Sequence, residues 1–351
     1  MLPDAGIPVS LAVLLECFQP CFTAPTFQTF RLLVTGMLAA PARRTVVGML
    51  VGAARQGEVP HDRAHRFLAR AVWSIVDLSD ALARLVVERL VGDGPITVAI
   101  DDTLFHRRGK KVFAAGYCHD GSARGESSVG HGNNWVITAL VLPTSVFGRP
   151  LCLPIGASLV VKDTMSASRL WLAARAAERL ARLFPTRTIH VVADSAYAGR
   201  ELRTLPANVT WTTRPRADAA LFALAPPRTG RRGRPRTKGD RLGTIRELAA
   251  AAAYEHVTVT RYGRTDTVGI AVTDCLWYSV FGPRTVRLVL LREPGRPLLA
   301  LITTDLAAIG ARIVERYASR WAIETAIEDA KQLVGHCCIG EVRHRGASDQ
   351  S

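Results

Sequence analysis

The chain has 351 residues, 48% of them hydrophobic, and its 45 Lys and Arg against 30 Asp and Glu give a formal net charge of +15. No apolar run approaches the ~20 residues of a membrane-spanning helix, and seven irregularly spaced cysteines argue against a disulfide-bonded secreted protein. So large a basic excess is typical of proteins that bind a polyanion, and nucleic acid is the usual one.

Residues 1–94 predict a helical domain. Apolar residues recur at helical spacing through Phe27–Leu50 and Ala64–Leu90, and prolines separate the segments. Because arginines keep this region basic, a small DNA-binding domain and a plain helical scaffold both fit the pattern. No recognition helix can be picked out, so the two alternatives stay open.

From residue 95 to residue 204 the pattern changes to that of an α/β layer fold. Two β-branched runs end in aspartate, and an amphipathic helix precedes the second of them. Glycines and asparagines in Val129–Trp135 predict a turn. The predicted elements are strands Ile96–Asp102, Val112–Tyr117 and Asn134–Leu142, helix Ser166–Leu183, and strand Thr188–Asp194.

Residues 205–304 form a predicted β-rich insertion that contains a strongly basic loop at 228–241. The loop includes Arg232-Gly-Arg-Pro235, a core that can enter the narrow minor groove of A·T-rich DNA. A flexible loop that contacts phosphates without reading sequence is the alternative. Strand-like segments follow at His256–Tyr262, Thr265–Thr273, Leu276–Val280, Thr285–Leu291 and Pro297–Ile302.

Residues 305–334 predict one long helix with an unusual polar face. Tyr317, Arg320, Glu324 and Lys331 lie within roughly 60° of one another on an ideal helix. A carboxylate flanked by fixed donors suits a group that holds a cation beside a bound phosphate. The alternative is a solvated face stabilised by ion pairs three and four residues apart.

Three motifs in this chain resemble those of bacterial insertion-sequence transposases of the DDE superfamily. The spacing Y-x2-R-x3-E-x6-K over Tyr317–Lys331 is similar to the signature in which Glu is the third catalytic carboxylate. Ile100-Asp-Asp-Thr103 resembles the first-aspartate motif, and Val192-Ala-Asp-Ser-Ala-Tyr-Ala-Gly199 resembles the second. Together these motifs extend the resemblance over residues 96–334.

The resemblance implies that Asp102, Asp194 and Glu324 are the catalytic residues and the metal ligands. Asp101 is the alternative to Asp102, because neighbours on a strand face opposite sides and only one can face the metal. Glu328 lies one turn beyond Glu324 on nearly the same face and is the alternative to it.

The resemblance also implies the fold class and the cofactor. The expected fold is α/β, a ribonuclease-H-like catalytic core with a β-rich insertion behind an all-helical N-terminal domain. The expected cofactor is two Mg²⁺ or Mn²⁺ ions held by carboxylate oxygens. Trp277 would stack on a flipped base, and a buried core Trp is the alternative. With the basic loop included, the predicted DNA-binding residues are Tyr317, Arg320, Lys331, Arg231, Arg232, Arg234, Arg236, Lys238 and Trp277.

The predicted function is DNA transposition: metal-dependent cleavage of transposon ends and transfer of the freed strands into target DNA. The expected partner is double-stranded DNA, bound by a homodimer without a membrane, in the cytoplasm at the nucleoid. Family members continue past the third motif, so residues 335–351 are expected to be a basic tail of a truncated chain. A nuclease without strand transfer and an inactive DNA-binding relic or repressor are the alternatives.

Overall fold

The computed structural model describes residues 7–40, 45–54, 59–109, 111–120, 128–143, 148–165, 168–227 and 235–334. It divides into two compact units. The first unit comprises residues 1–88, 104–133 and 327–351, and the second comprises residues 89–103 and 134–326. Within the described residues, no helix is both long enough and apolar enough to cross a membrane.

The first unit contains the helical N-terminal region. Ser74 and Thr45 accept hydrogen bonds from the backbone amides of Asp77 and Gly48, which caps the helices that begin after them. Leu33, Met49, Leu50, Ala64 and Phe67 form its buried core. The helices are α1 (Val9–Glu16), α2 (Ala24–Ala39), α3 (Val46–Gly52), α4 (His61–Ala69) and α5 (Ile75–Val86). The predicted helical N-terminal domain is therefore confirmed.

The first unit also contains a strand pairing that replaces a predicted turn. Strand β1 spans Ile96–His106, β2 spans Gly116–His119, and β3 spans Val129–Leu142. The glycines of Val129–Trp135 thus lie inside β3, and β2 pairs antiparallel with this end of it. A Cβ added to Gly132 would lie 2.1 Å from the Phe105 carbonyl oxygen, so close backbone approach explains the glycine.

The second unit is built on a mixed sheet with the strand order β4-β3-β1-β5-β6-β10-β9-β8-β7. In it β1 and β5 run parallel, β5 and β6 run parallel, and β3 and β4 run antiparallel. The order β4-β3-β1-β5-β6 is that of a ribonuclease-H-like core, which confirms the predicted fold class. The further strands are β4 (Leu151–Leu159), β5 (Ile189–Ala193), β6 (Val209–Thr213), β7 (Glu255–Arg261), β8 (Arg264–Leu276), β9 (Thr285–Arg292) and β10 (Leu299–Thr303).

Helix α6 (Arg169–Leu183) precedes β5, as predicted, and follows β4, which was not predicted. The Ser168 hydroxyl accepts from the Trp171 amide at 3.0 Å and caps its start. Its buried face is Leu170, Leu172, Ala173, Ala174, Ala177, Leu180 and Ala181. All five residues of β5 are buried, as expected of a central strand covered on both faces.

The strands of the predicted insertion continue the core sheet. Strand β10 pairs antiparallel with β6, and β9, β8 and β7 follow as an antiparallel meander. Two of the predicted segments differ: β8 runs unbroken to Leu276, and a short helix α8 spans Tyr278–Phe281. Because Leu276–Val280 is a short apolar run, its periodicity does not distinguish a strand from a helical turn. A short helix α7 (Ile245–Ala251) precedes β7.

Candidate active site

The candidate site in the second unit lies where β1 stops pairing with β5 and where β5 and β6 end. Ile100 of β1 is opposite Ala193 of β5, and Val192 of β5 is opposite Thr212 of β6. Continuing both registers sets Asp101, Asp194 and Arg214 in one row across β1, β5 and β6, just beyond their paired segments. The carboxyl ends of parallel strands meet at one edge of a sheet, where binding sites commonly form.

Asp101 is a largely buried carboxylate with two polar contacts. Its Oδ1 accepts from the Asp102 amide at 2.9 Å, and its Oδ2 accepts from Arg320 at 3.0 Å. Burial raises the pKa of Asp101 to about 6, and the charges of Asp194 and Asp102 add to this rise while Arg320 opposes it. Negative charge is therefore crowded around Asp101.

Asp102 is held by a separate set of donors. Arg169 donates to both carboxylate oxygens at 2.8 Å, Tyr197 donates to Oδ1 at 3.1 Å, and Asn134 donates to Oδ2 at 3.2 Å. Burial raises the pKa of Tyr197, and the Asp102 carboxylate adds to the rise. The charge of Asp102 is thus matched by donors from the protein. One of these donors, Tyr197, is completely buried.

Asp194 ends β5 and organises the turn that follows. Its Oδ1 accepts from the Ala196 amide at 2.9 Å, and its carbonyl oxygen accepts from the Thr213 hydroxyl at 2.5 Å. The Tyr197 amide also donates to that carbonyl, at 3.2 Å. The turn therefore connects the second aspartate to β6 and to the donor set of Asp102.

The third motif does not lie on one continuous helix. Helix α9 (Gly310–Ser319) and helix α10 (Ala322–Asp329) are separate, and a π-helical turn, Ala330–Val334, follows. The prediction of one helix over 305–334 is wrong at two places. Asp305 accepts from the amides of Ala307 and Ala308 in a turn, and tight bonds three residues apart, such as Glu324 to Trp321, bend the chain between the helices.

Arg320 nevertheless links the first and third motifs. One guanidinium nitrogen donates to Asp101, and the other donates to Glu324 Oε1 at 2.9 Å. The guanidinium also lies 5.9 Å from the ring centroid of Tyr317, whose pKa burial raises to about 12. The side chains of Arg320 and Asp101 are 13% and 17% exposed and that of Glu324 is 38% exposed, so the bridge is shielded from solvent only at its Asp101 end.

Two predicted residues of the same stretch belong to the first unit. The Lys331 ammonium lies 5.4 Å from the Phe105 ring centroid, and burial lowers the pKa of Lys331. Glu328 accepts from the Gln332 side chain at 3.0 Å. Of the four signature residues, Tyr317, Arg320 and Glu324 thus belong to the second unit together with Asp101.

The predicted DNA-binding residues of the insertion have mixed surroundings. Arg231, Arg232 and Arg234 lie outside the described residues. Arg236 pairs with Asp240 at 2.7 Å, and Lys238 lies 3.8 Å from the Phe222 ring centroid. Trp277 is 4% exposed and packs edge-on against Phe281, so its ring belongs to the core, as the alternative interpretation expected.

The carboxylate oxygens of Asp101, Asp194 and Glu324 are of the type that binds a hard divalent cation. The charge of Asp194 adds to the raised pKa of Asp101, and a cation between the two carboxylates would relieve their repulsion. In the described part of the chain, no three His, Cys, Asp or Glu side chains are grouped closely enough to hold a metal ion as they stand. Because Glu324 is bonded to Arg320, its carboxylate must leave that partner to become a ligand.

Sequence reasoning missed four polar residues around these acids: Arg169, Tyr197, Asn134 and Arg214. Tyr197 was inside the quoted second motif, but no periodicity assigns it to Asp102. Arg214 had a usable signal, because it directly follows a buried strand, as Asp194 does. Arg169 and Asn134 reach Asp102 only through the fold.

The comparisons with known proteins give a family match and similar solved structures. A family model described as DDE superfamily endonuclease matches residues 17–271 of this chain. The cryo-EM structure of the piggyBac transposase synaptic complex with hairpin DNA is similar, with a TM-score of 0.40 and 12% sequence identity. The match covers 92% of this chain and 64% of that chain. No curated protein matches this chain in sequence.

Proposed function

Because the chain belongs to the DDE superfamily endonuclease family, we propose that it is a transposase that cleaves the ends of its element and joins them to target DNA. The observation that carries the proposal is the Arg320 bridge between Asp101 and Glu324, at the strand end that is level with Asp194. The bridge joins the first and third motifs, and the register of β1 with β5 sets the second motif level with Asp101.

We assign the first catalytic carboxylate to Asp101 rather than to Asp102. Asp101 shares a register row with Asp194 and is bonded through Arg320 to Glu324. Asp102 already accepts bonds from three protein side chains, which satisfy its charge. We therefore propose that Asp102 is a positioning residue that fixes the middle of β1 beside Asp101.

The proposed cofactor is Mg²⁺ or Mn²⁺, held by Asp101, Asp194 and Glu324 as two ions. Such ions, when bound, activate water and stabilise the attacking and leaving oxygens of an in-line displacement. Members of the superfamily generally use divalent metal ions. Arg320 would hold Glu324 near Asp101. Once the carboxylates bind the metal, its guanidinium would be free to donate hydrogen bonds to a DNA phosphate.

The proposed partner is double-stranded DNA, namely the terminal inverted repeats of the element and its target. The net charge of +15 supports this proposal, because neutralising phosphates releases counterions and favours binding. We propose a homodimer on DNA, since two ends must be brought together, and a location at the nucleoid.

The test is cleavage of a labelled duplex that carries an inverted repeat from the DNA flanking the gene. Asp101→Asn, Asp194→Asn and Glu324→Gln should each abolish cleavage in Mg²⁺ while DNA binding survives. Glu328→Gln, four residues further along the chain, is the matched control and should cleave like the wild type. Full activity in Glu324→Gln would remove the third carboxylate from the site.

A second stage of the same assay separates the alternatives. Pre-cleaved ends are incubated with a supercoiled plasmid, and joined products are counted. Joining supports transposition, whereas cleavage without joining indicates a nuclease of the same fold. A wild-type chain that binds the repeat but neither cleaves nor joins would indicate a DNA-binding relic or repressor.

A further inference from the structure

Arg214 occupies the third position of the row formed by the strand ends. It directly follows β6, and the register of β5 with β6 sets it level with Asp194. The residue after it is Pro215, which restricts Arg214 to extended backbone conformations. The residue before it is Thr213, which is fully buried and bonded to the Asp194 carbonyl. The direction in which the chain leaves β6 is therefore well determined.

The charge of Arg214 acts on the third motif. Although burial raises the pKa of Tyr317, the guanidinium groups of Arg320 and Arg214 oppose that rise. The Arg214 charge, which comes from the β6 side, therefore reaches the Tyr317 hydroxyl. Arg320 approaches the same hydroxyl from the helical side, where it stacks at 5.9 Å from the ring.

The three arginines around this edge differ in how their charges are matched. Arg169 is paired with Asp102, and Arg320 is paired with both Asp101 and Glu324. Among the residues that the structure describes, no acidic side chain lies within ion-pair distance of Arg214, which is exposed. Its charge therefore remains available to an anionic ligand.

We propose that Arg214 binds a phosphate of the DNA strand that is cleaved, beside the row of carboxylates. A guanidinium presents a planar set of donors that matches two phosphate oxygens, and it stays charged at any working pH. This inference rests on the proposed function, because it names the group that holds the substrate at that same site. The alternative is a solvated arginine that contributes only to the net charge.

The experiment compares Arg214→Gln and Arg214→Lys with a matched control, Arg216→Gln. Arg216 lies two residues further on, its side chain is 74% exposed, and it faces Asp218 at 3.6 Å. Single-turnover cleavage at saturating DNA should slow by about 10- to 100-fold in Arg214→Gln, since a donor to the reacting group is removed. Arg214→Lys should recover part of the rate, and Arg216→Gln should stay within about twofold of the wild type.

Binding supplies a second measurement that does not require cleavage. The slope of log K against log salt should fall by about one in Arg214→Gln, because one phosphate fewer is neutralised, and should be unchanged in Arg216→Gln. Unchanged rate and slope in Arg214→Gln, or equal decreases in Arg216→Gln, would overturn the inference alone. If the wild type fails to cleave, the proposed function fails, and the salt slope still decides whether Arg214 binds DNA.

Discussion

At the scale of single residues, the neighbours Asp101 and Asp102 show how strand geometry separates two identical side chains. Alternation along β1 turns them to opposite faces. Asp101 accepts a hydrogen bond from Arg320 and feels the charge of Asp194. Asp102 accepts hydrogen bonds from Arg169, Tyr197 and Asn134. The sequence contains both aspartates but not their surroundings.

These surroundings predict opposite effects on stability. Asp102→Asn should lower the free energy of unfolding by about 1–2 kcal/mol, because Arg169 and Tyr197 lose a charged acceptor. Chemical denaturation followed by circular dichroism measures the change. Asp101→Asn is the comparison and should not destabilise the protein at pH 7. Equal destabilisation in the two variants would contradict the assignment of their roles.

The pKa of Asp101 adds a dependence on pH. Because this pKa is raised from 3.8 to about 6, the folded state binds the proton more tightly than the unfolded state does. The stability contributed by this proton is present below pH 4 and is lost as the pH rises towards 6. In chelator, Asp101→Asn should therefore gain about 1–3 kcal/mol over the wild type between pH 4 and pH 7. A difference that is constant with pH would show that Asp101 is ionised normally.

At the scale of elements, the sequence predicted β1, β5 and α6 well, because their β-branched runs and the helical period of α6 are clear. It did not predict β4 or β6, and the strand predicted at Val112–Tyr117 begins only at Gly116. β1, β5 and α6 lie within a few residues of their predicted bounds. The break between α9 and α10 could not be predicted, since Ser319–Ala322 contains neither Gly nor Pro. The interruption is instead associated with contacts that are distant in sequence, above all between Arg320 and Asp101.

The turn predicted at Val129–Trp135 failed for a related reason. Glycine there reflects the closeness of β3 to Phe105 rather than a reversal of the chain. Gly132→Ala should destabilise the protein by about 1–3 kcal/mol, because the added methyl group meets a backbone oxygen. Gly94→Ala is a matched control with nothing within 4 Å of its added Cβ. Thermal unfolding of both variants measures the difference, and an unchanged Gly132→Ala would show that the strands separate easily.

At the scale of the whole molecule, the net charge of +15 predicts DNA binding that weakens steeply with salt. Replacing Arg231, Arg232 and Arg234 together by Ala should flatten the slope of log K against log salt by about 0.9 for each phosphate that the loop no longer neutralises. Titration of a labelled duplex at several salt concentrations measures the slope. An unchanged slope would mean that the basic loop does not touch DNA.

The Arg320 bridge has a consequence for the protein before it meets an ion. Carboxylates without a bound cation repel one another. If the cluster relied on metal for neutrality, folding of the newly made chain would depend on the supply of metal ions. The Arg320 guanidinium already balances the charges of Asp101 and Glu324. The protein should therefore fold and stay folded without metal. Chelator should leave its melting temperature unchanged, whereas Arg320→Gln should lose about 3 kcal/mol and regain part of it in Mg²⁺. The concentration of metal ions would then limit the rate of catalysis but not the amount of folded protein.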